Sequence, residues 1–264
     1  MRIDLHTHSD ASDGTDSPAA VIAAAKAAKL DVVGLTDHDS TAGWAEAEAA
    51  AVAEDIALVR GAEFSARYRG ITVHLLSYLH DPENQALVAA AGQVLAARWE
   101  RAQQIVAALA RDYPISWPAV AARAPKGVPV GRPHIADELV TLGVVPDRSA
   151  AFTELLHPRG PYYVRYWSIE AEQMIELIRG AGGVPVFAHP GAVGRQRVVG
   201  DSGIVRMAEA GLAGLEVHHR DNPPDQQIRL TALAERLGLL QTGASDYHGQ
   251  AGKPNRLGEN LTSP

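Results

Sequence analysis

Residues 3–8 of the chain read IDLHTH, a segment in which apolar and polar residues alternate and two histidines are separated by one residue. This alternation predicts a β-strand, and the period of two places the imidazoles of His6 and His8 on the same side. The following segment, SPAAVIAAAKAAKL at residues 17–30, predicts a helix with Ser17 as its N-cap and Pro18 in its first position. The chain therefore begins with a strand followed by a helix.

The same alternation recurs in the first and last thirds of the chain. Further strands are predicted at residues 31–38, 56–68, 71–79, 184–189, 213–219 and 239–248, and further helices at residues 40–55, 170–180, 205–210 and 225–237. Strands that alternate with helices indicate parallel βαβ units. With about seven such units, the pattern favours an α/β fold of the TIM-like barrel type over an open sheet.

Between residues 83 and 166 the alternation stops. Residues 83–112 predict one long or two short helices, and Pro- and Gly-rich connections and further helical segments such as residues 134–143 follow. We therefore predict a barrel formed by residues 1–82 and 167–264, and an α-helical insertion, or cap domain, at residues 83–166.

The overall composition excludes several classes of protein. The 264 residues carry a formal net charge of −7, whereas a general nucleic-acid binder has a basic surplus. Cysteine is absent, so disulfides and thiolate metal sites are excluded. The sequence shows neither a signal peptide nor an apolar run long enough to span a bilayer, and we expect a cytoplasmic protein without a membrane or protein partner.

Histidines and carboxylates recur at or just past the predicted ends of the strands. They are His6, His8, Asp13, His38, Glu63, His74, His189, Asp246 and His248. In a parallel barrel all nine side chains would gather at one mouth. Imidazole and carboxylate together suit Mn, Fe or Zn, and nine such groups are enough for two or three divalent ions. Without cations, burying so many ionisable groups together would be costly.

Four of these segments resemble the motifs of the PHP (polymerase and histidinol phosphatase) superfamily. The segments are His6-Thr7-His8-Ser9 with Asp13-Gly14, then Gly34-Leu35-Thr36-Asp37-His38-Asp39, Gly61-Ala62-Glu63 and Ser245-Asp246-Tyr247-His248. Residues 131–136 and 214–220 are similar to the stand-alone branch that includes 3′,5′-nucleotide bisphosphate phosphatases and RNA 5′-end exonucleases. The resemblance spans the whole chain and implies a distorted (β/α)7 barrel with two or three divalent ions, Mn being expected and Fe or Zn the alternatives.

The resemblance also implies how the ligands are shared. One ion takes His6, His8, Glu63 and Asp246, a second shares Glu63 and adds His74 and His189, and a third takes Asp13, His38 and His248. Two metal ions supply phosphate hydrolysis with an activated water, which attacks phosphorus, and with charge neutralisation on the phosphoryl oxygens.

Substrate contacts are predicted outside the ligand set. Arginine matches phosphate with a planar fork, and Arg132 and Arg220 adjoin histidines in the segments that resemble the family. Arg159 and Arg197 are weaker candidates. His134 and His219 are candidates for contacting phosphate or for protonating the leaving oxygen, and His219 and Asp246 are the predicted catalytic residues. Because His218 and His219 are adjacent on a strand, only one faces the mouth, and the motif favours His219.

Several functions remain open at this point. The favoured one is hydrolysis of a phosphate monoester of a small nucleotide, such as release of the 3′-phosphate from a 3′,5′-nucleoside bisphosphate, with trimming of short RNA from the 5′ end as a further activity. The alternatives are a phosphatase for another small phosphate, such as histidinol phosphate or a cyclic nucleotide, and a non-catalytic module that senses metal or phosphate. An amidohydrolase is disfavoured because many of those enzymes bridge their metals with a carbamylated lysine at a strand end, where this chain has Glu63.

Overall fold

Seven strands form one sheet in which the order in space follows the order in the chain. A computed structural model describes residues 1–124, 130–157, 160–194 and 197–264. The strands are β1 (Ile3–Thr7), β2 (Val32–Leu35), β3 (Ala57–Tyr68), β4 (Ile71–Tyr78), β5 (Val184–Phe187), β6 (Gly214–His218) and β7 (Leu240–Gly243). The end of β1 meets the segment after β7 through a parallel bridge between Thr7 and Tyr247, so the sheet forms a nearly closed barrel.

Nine helices are found among the described residues. They are α1 (Pro18–Ala27), α2 (Trp44–Glu54), α3 (Gln85–Leu109), α4 (Trp117–Ala121), α5 (Arg132–Thr141), α6 (Arg148–Glu154), α7 (Ala171–Gly180), α8 (Asp201–Glu209) and α9 (Pro224–Leu237). As predicted, Ser17 caps α1 by accepting a hydrogen bond from the backbone N–H of Ala20 at 3.2 Å. Within the part of the chain that the structure describes, no helix is both long enough and apolar enough to cross a membrane.

The sheet departs from regular (β/α)7 connectivity between its third and fourth strands. β3 and β4 are antiparallel and are joined directly at Arg69-Gly70, whose positive φ angles of 46° and 80° suit a tight hairpin turn. β4 and β5 are also antiparallel, whereas the remaining neighbours are parallel. The fold is therefore a mixed α/β barrel, and the prediction of uniformly parallel units is wrong at β4.

The chain divides into two compact units. One contains Met1–Ala91 and Ile169–Pro264 and holds the whole sheet, and the other contains Gly92–Ser168 and is helical. In the first unit, α1 and α2 pack their apolar faces against β2, with Ile22, Val33 and Leu35 completely buried. The helical unit has its own core, in which Leu109 of α3 and Leu139 of α5 are completely buried.

Glycine at position 34 is required by close packing between two strands. A methyl group added at Gly34 in β2 would overlap the backbone of Leu5 in β1, the strand that carries the first histidines. Exposed Gly92 in α3 is the opposite case, because a methyl group there would meet nothing within 4 Å.

We expect Gly34→Ala to lower the free energy of unfolding by about 1–3 kcal/mol, because the backbone of two paired strands must separate. The matched variant Gly92→Ala should instead raise it by about 0.5–1 kcal/mol, since alanine is the better helix former. Urea denaturation followed by circular dichroism measures both changes. Equal stability of the two variants would contradict the close β1–β2 contact.

Candidate metal centre

The nine predicted ligands come from six of the seven strands or from the loops that follow them. His6 lies on β1 with His8 just beyond it, His38 follows β2, and His189 follows β5. Asp246 and His248 follow β7, and Asp13 lies in the loop after β1. The structure therefore brings the nine predicted ligands into one cluster, in which each residue has a titratable group of another within 4 Å.

Glu63 lies at the centre of this cluster and is 1% exposed. Its Oε2 lies 3.3 Å from Nε2 of His6, 3.2 Å from Nε2 of His8 and 3.3 Å from Nδ1 of His38. Its Oε1 lies 2.9 Å from Nδ1 of His74 and 3.2 Å from Nε2 of His189. One carboxylate with each oxygen facing a different group of imidazoles has the geometry of a bridging ligand.

Glu63 was predicted at the end of its strand, but it lies in the interior of β3, which continues to Tyr68. The reason is the hairpin, since residues 64–68 of β3 pair with residues 71–75 of β4. His74 is likewise inside β4 and is paired with Ser65. The prediction of a strand-end carboxylate is therefore wrong in its local structure, although the side chain lies among the other candidate ligands.

Asp246 presents its two oxygens to different neighbours. Oδ1 lies 3.4 Å from Nε2 of His8 and 3.3 Å from Nδ1 of His248. Oδ2 accepts a hydrogen bond of 3.0 Å from Nζ of Lys253 and lies 3.6 Å from Nε2 of His219. Oδ1, the inner oxygen, thus faces the imidazole cluster. Oδ2, the outer oxygen, faces the ammonium group of Lys253 and the ring of His219.

Asp13 forms a further group with three imidazoles. One carboxylate oxygen lies 3.3 Å from Nε2 of His248 and 3.8 Å from Nδ1 of His8, and the other lies 3.9 Å from Nε2 of His38. The ligand atoms of these four residues all lie within 4.8 Å of one another. This is the third predicted ligand set with His8 added.

The donor atoms fit divalent cations. Nε2 of His6 and Nε2 of His8 lie only 3.0 Å apart and point at the same carboxylate oxygen of Glu63. Two other buried ring nitrogens, Nδ1 of His8 and Nε2 of His248, make no hydrogen bond within the described chain. Converging imidazole and carboxylate donors of this kind match the preferences of Mn, Fe and Zn.

The charged groups of the cluster shift one another's pKa values. Burial alone would raise the pKa of Glu63, but His38, His74 and His6 outweigh it and hold that pKa well below its usual range. Burial alone would lower the pKa of His8, but hydrogen bonds with Asp246 and Glu63 raise it to about 9. For His6, the carboxylates of Glu216, Glu63 and Asp246 outweigh burial in the same way and raise the pKa well above its ordinary value.

Two candidate ligands have a backbone conformation that side chains other than glycine seldom adopt. The φ angle is 33° at His189 and 54° at Asp246, both in the left-handed region. Each residue lies just past the end of a strand, where this turn directs the side chain toward Glu63 or His8. Such strained positions persist only where surrounding contacts hold them, and they concentrate at functional sites.

Two aspartates that flank His38 in sequence secure neighbouring backbone segments. Asp37 accepts hydrogen bonds from the backbone N–H and hydroxyl of Ser9 and from the hydroxyl of Ser12, in the loop that leads to Asp13. Asp39 accepts from the backbone N–H and hydroxyl of Ser65 in β3. Both carboxylates therefore hold the segments that carry the candidate ligands.

Sequence reasoning did not select two charged residues that contact the cluster. Glu216, in β6, is completely buried and lies 2.9 Å from Nδ1 of His6. Its pKa is about 2, because His6 outweighs the effect of burial. Lys253 contacts Asp246 from the loop after β7. A single carboxylate in the otherwise apolar GLEV segment was a usable signal for Glu216, whereas Lys253 had none.

The predicted substrate residues of the barrel unit lie in different surroundings. His219 is completely buried, and its Nδ1 accepts a hydrogen bond of 3.0 Å from the backbone N–H of Asp221, so the proton lies on Nε2, toward Asp246. His218 is exposed. Arg220 makes an ion pair with Glu259, with its Nε 2.8 Å from a carboxylate oxygen.

The remaining candidates lie elsewhere in the chain. In the helical unit, Arg132 packs over the ring of Phe152, and burial followed by the neighbouring Arg101 lowers its pKa to about 10. Nδ1 of His134 accepts the backbone N–H of Gly131 at 3.0 Å and thereby caps α5. Arg197 is exposed, and Arg159 lies outside the described residues.

Comparison with known proteins identifies close relatives. Residues 4–113 match the PHP domain family. A 3′,5′-nucleoside bisphosphate phosphatase of Chromobacterium violaceum is 35% identical over 260 residues, which cover 95% of this chain and 89% of that protein. A 5′-3′ exoribonuclease of Haemophilus influenzae is 31% identical over 261 residues, covering 98% of this chain and 94% of that protein.

A solved structure is also similar along nearly the whole chain. It is the crystal structure of a Bifidobacterium adolescentis protein that is provisionally described as a metal-dependent phosphoesterase. The two structures superpose with a TM-score of 0.96 at 42% sequence identity, covering 99% of this chain and 92% of that one.

Replacing Glu63 tests its bridging role. We expect Glu63→Gln to lose the ions of the two sets that share this side chain, because a neutral amide cannot bridge two cations, and to keep an ion at Asp13, His38 and His248. Inductively coupled plasma mass spectrometry of the purified protein counts the ions. Glu138→Gln, which changes a buried glutamate of the helical unit, is the matched control and should keep all of them.

Cation binding should release protons. With its pKa near 9, His8 is charged in the metal-free protein at about pH 7, whereas ligation needs a neutral imidazole. The apparent affinity for Mn²⁺ is therefore expected to rise as the pH increases from about 7 to about 9. Calorimetric titration in two buffers of different ionisation enthalpy measures the release, and a binding enthalpy that is the same in both would refute it.

Proposed function

Because this chain belongs to the PHP family and is a metal-dependent hydrolase of phosphoric esters, we propose that it removes a phosphate from a small nucleotide. The substrate we propose is a 3′,5′-nucleoside bisphosphate such as adenosine 3′,5′-bisphosphate, with release of the 3′-phosphate. The observation that carries this proposal is the buried cluster around Glu63, in a chain that is 35% identical to a bisphosphate phosphatase along nearly its whole length.

The distribution of charge between the two units supports a phosphorylated substrate. The helical unit carries nine Lys and Arg against six Asp and Glu, and the barrel unit carries fifteen against twenty-five. The barrel thus has the negative charge that attracts cations, whereas the surplus of arginine in the helical unit suits phosphate. We propose that Arg132 and His134 bind a phosphate of the substrate and that the helical unit acts as a cap.

We propose that the cluster holds two or three divalent cations, with Mn as the expected metal. When bound, they would neutralise charge on the phosphoryl oxygens and lower the pKa of a water molecule. The proposed ligand sets are the three that share or adjoin Glu63. They are His6, His8, Glu63 and Asp246, then Glu63, His74 and His189, then Asp13, His38 and His248.

His219 is the residue that we propose as the proton donor to the leaving oxygen. Because its Nδ1 accepts the N–H of Asp221, its proton is held on Nε2, which lies 3.6 Å from Oδ2 of Asp246. Arg220 follows directly and is proposed to bind a phosphate oxygen, with Glu259 holding the guanidinium in place until substrate arrives.

A second activity is supported by one observation. The Haemophilus influenzae relative is a 5′-3′ exoribonuclease, and the chain covers 94% of its length. Short RNA with a 5′ end is therefore the second candidate substrate. The net charge of −7 favours short chains over long nucleic acid.

Phosphate release from a panel of substrates tests the assignment. The panel contains adenosine 3′,5′-bisphosphate, histidinol phosphate, cyclic nucleotides and 5′-phosphorylated oligoribonucleotides, each with Mn²⁺. We expect the bisphosphate to show the highest kcat/KM, and identification of the product by mass spectrometry and ³¹P NMR to show loss of the 3′-phosphate. A higher kcat/KM for histidinol phosphate or a cyclic nucleotide would overturn the substrate assignment.

Replacing Arg220 by alanine should lower kcat/KM for the bisphosphate by about 10- to 100-fold, mainly through KM, because a charge-assisted hydrogen bond contributes about 1.5–3 kcal/mol. The metal content should not change, because Arg220 contacts Glu259 and Asn255 rather than a ligand. Arg236→Ala, an exposed arginine of α9, is the control. Wild-type kinetics for Arg220→Ala would show that this arginine does not bind the substrate.

A further inference from the structure

Glu216 is a buried carboxylate that the proposed mechanism does not use. It lies in the middle of β6 with no solvent exposure, and both of its oxygens are engaged by residues of the candidate metal centre. We propose that Glu216 is a positioning residue that fixes the tautomer of His6 and the backbone of His189, and so prepares two ligands for their cations together. This inference rests on the proposed metal centre.

The two contacts are short and reach residues that are far apart in the chain. Oε1 lies 2.9 Å from Nδ1 of His6, and Oε2 accepts a hydrogen bond of 2.8 Å from the backbone N–H of His189. His6 belongs to the first strand, and His189 follows the fifth. A single side chain thus connects a proposed ligand of the first ion with a proposed ligand of the second.

The contact with His6 determines which ring nitrogen is available for a cation. An ionised carboxylate can only accept, so Nδ1 of His6 must carry the proton that lies between the two side chains. In the neutral ring that ligation requires, Nε2 is then left with its lone pair, and it is this atom that lies 3.3 Å from Glu63 and 3.6 Å from Asp246. Hydrogen-bonded carboxylates of this kind orient imidazole ligands in many metal sites.

The contact with His189 supports its unusual backbone. The φ angle of 33° places this residue in the left-handed region, and the hydrogen bond to Glu216 holds its N–H in that position. Asn222 adds to the support, because its side-chain amide donates to the carbonyl of Glu216 and its oxygen accepts the backbone N–H of Gly191. The end of β6 and the turn that carries His189 are therefore held as one piece.

Replacing Glu216 by glutamine separates this role from simple filling of space. The N–H of His189 can only donate, so the glutamine must turn its oxygen toward His189 and its NH₂ group toward His6. Nδ1 of His6 then has to accept, and the proton moves to Nε2. An imidazole protonated on Nε2 cannot bind a cation with that atom.

The test uses Zn²⁺ as a diamagnetic probe in the full-length protein. Calorimetric titration should show that Glu216→Gln binds Zn²⁺ at the His6 site about 10- to 100-fold more weakly than wild type. In ¹H–¹⁵N spectra of the histidine rings, with His6 assigned through the loss of its signals in His6→Gln, wild type saturated with Zn²⁺ should show His6 protonated on Nδ1. The variant should show it protonated on Nε2. Glu138→Gln, the buried glutamate of the helical unit, should match wild type in both measurements.

The outcomes separate the two levels of the proposal. Zn²⁺ binding by Glu216→Gln that equals wild type, with His6 still protonated on Nδ1, would overturn the positioning role and leave the metal centre standing. Failure of wild type itself to bind Zn²⁺ would overturn the metal centre. If the variant does not fold, the wild-type spectrum still tests the positioning role. A His6 ring that binds Zn²⁺ through Nδ1 would contradict the proposed geometry.

Discussion

The convergence of several imidazoles on the single carboxylate of Glu63 is the constraint on which the rest of the barrel depends. Burying this many ionisable groups costs free energy through desolvation, and only mutual pairing and bound cations can offset that cost. The geometry must therefore be held accurately, because the ring nitrogens of His6, His8 and His38 all lie within 3.3 Å of one oxygen. Strand ends and hairpin arms supply such fixed positions.

Around this cluster lies a set of buried acids that accept hydrogen bonds from backbone N–H groups. Asp4 accepts the backbone N–H groups of Ser245 and Gly258 and thereby connects β1 with the segment that carries Asp246 and His248. Burial outweighs these hydrogen bonds and raises the pKa of Asp4 to about 6. Asp37, Asp39 and Glu216 bind neighbouring segments in the same manner. The loops at the site are thus held by side chains, where regular secondary structure has ended.

The units of the chain differ in charge as their proposed tasks differ. An acidic barrel concentrates cations, and a helical unit with an excess of arginine suits the phosphate groups of a substrate. Membership of the PHP family makes the reaction a phosphoester hydrolysis, and relatives along nearly the whole chain act on nucleotides or RNA. We expect the residues that determine substrate specificity to lie in the helical unit and around Arg220, rather than among the candidate metal ligands.

The sequence by itself determined the strand and helix alternation and the residue types of the centre. The two-residue spacings of His6 and His8 and of Asp246 and His248 are local features, so the period of a strand or turn is enough to predict them. The hairpin that places Glu63 inside β3 joins two strands that only two residues separate, so its signal was local, and the alternation of strands and helices elsewhere in the chain led to the wrong prediction of parallel units there. Only the tertiary structure decided the contacts of Glu216, since its partners His6 and His189 lie 210 and 27 residues away and meet it only when the barrel closes.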